Sequence, residues 1–130
     1  MSVEGKDFLD FAKNAVANGT EIGYRNAVSR SYYSIYHTVL SLVEQQIPNY
    51  SGGGSHSSLI QYLGDPSCPE RFDKRQLRRL SYILRQQRDL RCDADYELDL
   101  DTITKTTAED CIEQAMKVCS ICQSLSSQAA

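Results

Sequence analysis

The residues best suited to chemistry are two arginines that interrupt an apolar helical pattern, Arg88 and Arg91. They lie four and seven residues after Leu84, so they continue the apolar stripe that Leu77 and Leu80 begin. A guanidinium on a core-facing stripe must leave the core at a groove, or meet an acid or a phosphate there. The spacing therefore predicts either a structural ion pair or an anion-binding site.

Asp95 is close enough in sequence to be an intramolecular partner for either arginine. It follows Arg91 by four residues, which is one helical turn. One interpretation is a structural clasp that closes the end of the helix. The other is a functional site in which the arginines face a ligand, and the spacing leaves both open.

A second set of polar and aromatic residues shares one face of another helix. Arg30, Tyr33 and His37 are spaced three, four and seven residues apart, and Tyr32 and Tyr36 flank them. These side chains could be buried tyrosines and a hydrogen-bonded histidine inside a bundle. They could instead line a polar groove facing the two arginines, where Arg and Tyr hold a nucleotide or an RNA phosphate.

The elements that must position these residues are helices. Apolar periodicity predicts helices over residues 3–17, 21–46, 55–63, 71–91 and 106–125, with Ser55 capping the third and an acidic connector over 92–104. Thr106 and Glu109 form a capping-box pattern at the start of the last helix. No period-two alternation is long enough for a sheet. We therefore expect an all-α, antiparallel up-down bundle of four main helices and one short helix. It forms a single domain over residues 1–130, with a frayed tail at 126–130.

Charge is distributed unevenly along the chain. The net charge is −3, yet residues 70–91 hold eight basic and three acidic residues, a net +5. Most of this positive charge falls on the helix side away from the leucines and is expected to face solvent. The residues on that side are Arg71, Lys74, Arg75, Arg78 and Arg85, together with Tyr82.

Composition excludes several classes of protein. No apolar run approaches the roughly 20 residues of a membrane span, and the N-terminus lacks the features of a signal peptide, so we expect a cytoplasmic protein. The five cysteines lack a disulfide or zinc spacing. Cys119 and Cys122 invite a metal or redox interpretation, but they share a helical stripe and are expected to pack in the core. No cofactor motif is present.

The order of these motifs resembles HEPN domains, most closely the small stand-alone prokaryotic branch. The matching positions are Ala27, Ser29, Arg30, Tyr32, Tyr33, Tyr36 and His37 on one helix, then Arg91, Ala94, Asp95 and Tyr96 at the exit of another. His56 also lies where that branch often has a short histidine-containing segment. The resemblance covers about residues 5–125.

The resemblance implies a bundle that dimerises. In many relatives it is an RNA-cleaving toxin or defence component, paired with a nucleotidyltransferase-like antitoxin. Active relatives carry an Arg-x(4–6)-His motif, in which His moves protons and Arg stabilises the developing phosphorane charge. Here no His stands at the permitted distance after Arg85, Arg88 or Arg91.

Besides a purely structural bundle that only assembles with a partner, two functional interpretations follow. In the first, a HEPN-like domain of a toxin–antitoxin or defence system binds RNA or a nucleotide in an arginine- and tyrosine-lined groove, with Arg30, Tyr33 and Tyr96 as contacts. In the second, the protein is a metal-independent endoribonuclease. Its candidate catalytic residues are Arg88, Arg91, Asp95 and His37. Asp95 is a poor proton carrier there, because neighbouring arginines favour its charged form.

Overall fold

The protein folds as five α-helices. The computed structural model describes residues 2–50 and 52–129; Met1, Ser51 in the predicted loop, and Ala130 in the predicted tail lie outside the described residues. The helices are α1 (Gly5–Ala17), α2 (Glu21–Leu42), α3 (Ser55–Gly64), α4 (Lys74–Tyr96) and α5 (Lys105–Ala129). No strand occurs in the described ranges. The predicted all-α bundle of four main helices and one short helix is confirmed.

Helix α2 is the centre of the bundle, because it packs against α1, α4 and α5, while α3 packs on α4. Tyr32, Ile35 and Val39 of α2 are fully buried in one cluster with Leu80 and Leu84 of α4. This is the apolar stripe that the sequence predicts for each helix. Burial of such side chains stabilises the fold by about 1.5–3 kcal/mol each.

A second cluster, built from small side chains, lies where α1, α2, α5 and the end of α4 meet. Ala12, Ala27, Ala94 and Ala108 are at most 2% exposed within it. Helix axes approach more closely where the side chains between them are small. This contact therefore brings the C-terminal turn of α4 close to the first half of α2.

Helix α2 ends earlier than the pattern predicts, at Leu42 instead of residue 46. The next two free backbone amides, those of Glu44 and Gln45, donate to the two carboxylate oxygens of Glu70, at 3.0 and 2.9 Å. The Tyr62 hydroxyl donates to the same carboxylate at 2.5 Å. A buried carboxylate thus replaces the carbonyl partners that would have extended the helix.

Helices α4 and α5 both run further than predicted. Helix α4 begins after Asp73, whose side chain accepts from the Arg75 amide, and continues to Tyr96. The first five residues of the predicted acidic connector are therefore helical. Helix α5 reaches Ala129, past the end predicted at Leu125.

Two predicted caps are wrong in position. Ser55 is the first residue of α3, and Gly54 occupies the cap. At α5, Thr104 and Thr107 satisfy each other's backbone amides through their hydroxyls, in place of the pair predicted from Thr106. The reciprocal threonine cap lies two residues before the predicted one, whereas Gly54 makes no side-chain capping hydrogen bond at the start of α3.

A buried arginine explains the longer α4. Arg25 of α2 is 4% exposed. Its guanidinium donates at 2.9 Å to the Ala94 carbonyl and at 2.7 Å to the Leu100 carbonyl, and its Nε donates to Glu21 at 3.0 Å. Longer bonds reach the carbonyls of Asp93, Glu97 and Leu98. Arg25 thereby satisfies the last carbonyls of α4 and joins them to α2.

Within the described residues, no helix is long and apolar enough to cross a membrane. The same residues contain no group of three His, Cys, Asp or Glu side chains that could hold a metal ion. Cys119 is half-buried, Cys122 is buried, and both are free thiols, as expected of cysteines packed in or beside a core.

Candidate functional site

The candidate site lies at the contact between α2 and the end of α4. The Ser29 hydroxyl donates to Asp95 Oδ2 at 3.2 Å, and Arg91 Nη1 lies 3.5 Å from the same oxygen. Ser29 is buried two residues after Ala27, so it shares the close approach of the two helices. Asp95 therefore links an arginine of α4 to α2, as the predicted clasp requires.

Arg91 is the central cation of this contact, and only 12% of its side chain is exposed. Its guanidinium carbon lies 5.7 Å from the ring centres of Tyr32 and Tyr33 and 5.8 Å from that of Tyr96. Among the described residues, its Nε has no hydrogen-bond partner. Burial alone would lower the pKa of Arg91, but Tyr33, Cys92, Asp95 and Tyr96 together raise it, so the charge is retained.

Arg88 lies one turn before Arg91 and is half-buried. It interacts electrostatically with Tyr32 and with His56. No hydrogen bond or ion pair joins it to another residue that the structure describes. Its charge is therefore available to a ligand.

Arg30 extends the site along α2. Its Nη2 donates to the Ser29 hydroxyl at 3.3 Å, and its guanidinium carbon lies 4.8 Å from the Tyr33 ring centre. Arg30 and Arg91 therefore both lie against Tyr33. We call Arg30, Tyr33, Arg88, Arg91 and Tyr96 the arginine–tyrosine cluster.

His37 occupies a different position from the one that the enzymatic hypothesis needs. Its ring stacks on Phe8 of α1 at 5.2 Å and lies 6.5 Å from Tyr33. It also lines a cavity of about 650 Å³ with Lys6, Thr38 and Cys119. None of the described contacts joins it to Arg88 or Arg91. The structure therefore brings together all the candidate residues except His37, which lies beyond Tyr33.

The histidine that does approach the cluster is His56, the second residue of α3. Its Nδ1 lies 2.6 Å from the Tyr32 hydroxyl, and its ring centre is 4.1 Å from that of Tyr36 and 6.0 Å from that of Tyr33. The spacing of residues predicts no role for His56, because it does not show that α3 packs beside α2. The available signal was the resemblance to HEPN domains, which singles out the short segment around His56.

The electrostatics of this pair follow from burial and from the arginines. Burial lowers the pKa of His56, and Arg88, Arg91 and His37 lower it further. Burial raises the pKa of Tyr32, and this outweighs the opposing effect of Arg88 and Arg91. The Tyr32 hydroxyl and Nδ1 of His56 share this hydrogen bond, and either group can donate in it, because a hydroxyl both donates and accepts.

A second basic surface on α4 lies outside this site. The exposed residues Arg75, Arg78, Arg79 and Arg85 occur on the first three turns of the helix, as does Tyr82, which is 67% exposed. Apart from Arg79, these residues were predicted on the solvated side of the helix. Lys74 was predicted there too, but it is half-buried and donates to the carbonyls of Cys68 and Glu70. This surface is the alternative place for an anionic ligand.

A comparison with protein-family models gives the same family that the sequence motifs resemble. The sequence profile described as HEPN domain matches residues 3–125 of the chain. Searches of curated proteins and of solved structures give no match. The matched range includes every residue of the arginine–tyrosine cluster and also His56.

Proposed function

Because the chain belongs to the HEPN domain family, we propose that the arginine–tyrosine cluster binds RNA or a nucleotide through its phosphates. The observation that carries the proposal is the environment of Arg91. A nearly buried guanidinium lies against three tyrosine rings and keeps one donor, Nε, without a partner among the described residues. Buried donors normally find partners, so an unused one beside a second cation favours an anionic ligand.

The tyrosines suit a nucleic acid better than a bare anion. Tyr96 is 70% exposed beside Arg91, which leaves its ring available to a base. Stacking of bases on aromatic rings is worth about 1–3 kcal/mol per base and tolerates many sequences. Single-stranded RNA, whose bases are free to stack, is therefore the expected ligand class.

The opposing charge of Asp95 limits the affinity. Its contact with Arg91 is long, at 3.5 Å, and 27% of its side chain is exposed. It neutralises part of the cluster, and the whole chain carries a net charge of −3. We therefore expect RNA to bind through contacts within the cluster, with an affinity that falls as the salt concentration rises. We do not expect the protein to attract polyanions in general.

The test is RNA binding by fluorescence anisotropy with a double variant, Arg88→Gln/Arg91→Gln. Its matched control is Arg78→Gln/Arg85→Gln, which removes the same charge from exposed positions of the same helix. The first variant should bind at least about tenfold more weakly, with a salt slope smaller by about 0.7 for each phosphate that the protein no longer neutralises. The control should stay within about twofold of the unmodified protein. Equal weakening in the two variants would place binding on the exposed basic side and reject the proposal.

A second candidate function is metal-independent cleavage of the bound RNA. It is favoured by an imidazole beside two arginines, the residue types that such cleavage uses. The residues first considered for proton transfer, His37 and Asp95, are less suited. His37 stacks on Phe8, and Asp95 is engaged by Ser29 and Arg91. Cleavage in EDTA that disappears in Arg88→Gln/Arg91→Gln would establish this function, and intact RNA at saturating protein would exclude it.

The proposal extends to the location, the oligomeric state and the partner of the protein. The family resemblance supports a cytoplasmic toxin–antitoxin or defence system, a homodimer, and a nucleotidyltransferase-like antitoxin as partner. Affinity purification from the native host, followed by mass spectrometry, tests the partner. Recovery of a nucleotidyltransferase-like protein is the expected result, and its absence under conditions that preserve other complexes would count against this setting.

A further inference from the structure

His56 has an environment that core packing alone does not require. Its ring lies among three tyrosines of α2, Tyr32, Tyr33 and Tyr36, at centre distances of 5.5, 6.0 and 4.1 Å. The Tyr33 ring centre is also 5.7 Å from the guanidinium carbon of Arg91. An imidazole from α3 and a guanidinium from α4 therefore meet at the same aromatic ring.

The hydrogen bond to Tyr32 leaves one nitrogen of His56 unused. Nδ1 is held by the Tyr32 hydroxyl at 2.6 Å, and Nε2 has no hydrogen-bond partner among the residues that the structure describes. This bond fixes the ring in either charge state, because neutral Nδ1 accepts from the hydroxyl and protonated Nδ1 donates to it. A fixed ring with a free nitrogen is suited to a ligand contact.

The groups that face His56 all act against its positive charge. From α4 these are Arg88 and Arg91, and from α2 the electrostatic neighbour is His37. No carboxylate of the described residues contributes to the electrostatics of the imidazole. A bound anion would reverse this balance, because it would neutralise the two arginines and attract a proton to the ring.

We propose that His56 is a third contact to the phosphodiester that Arg88 and Arg91 hold, and that it takes up a proton when that phosphodiester binds. The inference rests on the proposed function, since it assumes an anion at the arginines. It adds a residue from a third helix and makes RNA binding dependent on pH. The shared Tyr33 ring and the free Nε2 are the observations that carry it.

The direction of the pH dependence follows from linkage. Burial and the arginines lower the pKa of His56 in the free protein, below its usual value of 6.5. The bound phosphodiester raises it again. Affinity therefore increases as the pH falls through the window between the pKa of the complex and that of the free protein, by at most about tenfold per pH unit.

The experiment is isothermal titration of an oligouridylate into the full chain between about pH 5.5 and pH 8.0, in buffers of different ionisation enthalpy. Neither the phosphodiesters nor the uracils of this probe titrate in that range. We expect about three- to tenfold tighter binding at pH 6.0 than at pH 7.5, with net proton uptake. The variant His56→Gln should bind with no pH dependence and no proton uptake. His37→Gln changes the only other histidine and should keep both.

The outcomes separate this inference from the function on which it rests. Binding by the unmodified protein that does not vary with pH, or pH-dependent binding that persists in His56→Gln, overturns the role of His56 and leaves the RNA site intact. Absence of binding at every pH overturns the proposed function itself. Should His56→Gln not fold, NMR titration of the two imidazole resonances decides the question. The pKa of the resonance that survives in His37→Gln must rise on addition of oligouridylate, and an unchanged value contradicts the proposal.

Discussion

At the scale of single residues, Asp95 is the group whose role is most open to test. It accepts from Ser29 at 3.2 Å and contacts Arg91 at 3.5 Å, so it both orients the arginine and opposes an incoming phosphate. Both side chains of the ion pair with Arg91 are largely buried, at 27% exposure for Asp95 and 12% for Arg91, so their attraction is largely offset by the cost of burying the two charges. Asp95 also acts unfavourably on an anion only a few ångströms away.

We therefore predict that Asp95→Asn tightens RNA binding about three- to tenfold. The amide keeps an acceptor for Ser29 and removes the negative charge. Anisotropy at low salt measures the affinity, and chemical denaturation should show a loss of about 1–3 kcal/mol in the free energy of unfolding, because Arg91 loses its carboxylate partner. Weaker binding by Asp95→Asn would mean that the carboxylate is needed to position Arg91.

The lowered pKa of His56 predicts that folding stability depends on pH in the absence of RNA. Its pKa is lowered in the folded protein relative to 6.5, so the unfolded chain binds more protons as the pH falls below about 6.5. The stabilisation from neutral His56 is present above that pH and is lost as the pH falls towards the folded pKa. Urea denaturation should give a lower free energy of unfolding at about pH 5.5 than at about pH 7.5.

The matched comparison is the same pair of measurements on His56→Gln. The difference between the two pH values should shrink in this variant, because it has no imidazole at this position to protonate. A difference of the same size in the variant would show that other groups cause the acid destabilisation.

The sequence predicted which candidate residues share one face of a helix. It did not predict which residues of two different helices come into contact. Arg30 and Tyr33 on α2, and Arg91 and Asp95 on α4, follow from helical spacing alone. His56 does not, because its partner Tyr32 is 24 positions away in the chain. Such a contact depends on the packing of α3, which local periodicity does not describe.

At the scale of elements, the end of α4 is determined by a side chain of another helix. Arg25 donates to carbonyls over residues 93–100 and is 4% exposed. Apolar periodicity, with an acidic connector over 92–104, predicted that α4 stops near residue 91. That prediction was wrong because a side chain of α2 donates to the carbonyls of the last turn. Arg25, which bonds the Ala94 carbonyl, lies 69 positions before it in the chain. Asp95 and Tyr96 owe their positions to this extension.

We predict that Arg25→Leu lowers the free energy of unfolding by about 2–4 kcal/mol, because several buried carbonyls lose their donor. Amide hydrogen exchange should accelerate first at residues 92–100, and RNA affinity should fall together with that protection. The control is Arg85→Leu on the exposed side of α4, which should change the free energy by less than about 0.5 kcal/mol. Unchanged exchange at residues 92–100 in Arg25→Leu would contradict this account of α4.

The end of α2 has a comparable cause in Glu70. Its two carboxylate oxygens accept from the amides of Glu44 and Gln45 and from the Tyr62 hydroxyl, at 3% residue exposure. Burial and the hydrogen bond to Glu70 both raise the pKa of Tyr62, so this hydroxyl remains the donor. The sequence predicted that α2 continues to residue 46. Nothing in the residues of α2 indicates that the Glu70 carboxylate accepts from the amides of Glu44 and Gln45.

We predict that Glu70→Gln costs about 1–3 kcal/mol of folding free energy, although the side chain keeps its size. The amide group places its NH₂ against a backbone N–H donor in either of its two orientations, because each carboxylate oxygen of Glu70 accepts from a backbone amide. Thermal and chemical denaturation measure the loss. Exposed Glu109→Gln on α5 serves as the control and should be nearly neutral. If Glu70→Gln left the free energy of unfolding unchanged, the carboxylate would not be what holds the loop that follows α2.

At the scale of the whole molecule, positive charge is concentrated on α4 but divided between two surfaces. The first three turns present exposed arginines to solvent, and the later turns present Arg88 and Arg91 to α2. The up-down bundle was predictable from periodicity, because each long helix has one continuous apolar stripe. The division of charge was predictable from the same stripe, since the two inward arginines continue it.

The proposed homodimer predicts a measurable mass. Light scattering at micromolar concentration should give about twice the chain mass of 14.6 kDa. A single species at the chain mass, unchanged on tenfold concentration, would reject the dimer. The RNA-binding proposal does not depend on this result, because the arginine–tyrosine cluster and His56 come from one chain.

Mapping the contacts of RNA distinguishes the two basic surfaces most directly. Tyr96 and Tyr82 are exposed to a similar degree, 70% and 67%, on the same helix, and only Tyr96 lies beside Arg91. The measurement is photocrosslinking of a 4-thiouridine oligonucleotide, followed by mass spectrometry of the linked peptides. We predict crosslinks at Tyr96 and Tyr33, and crosslinks confined to Tyr82 and its exposed arginine neighbours would contradict the account.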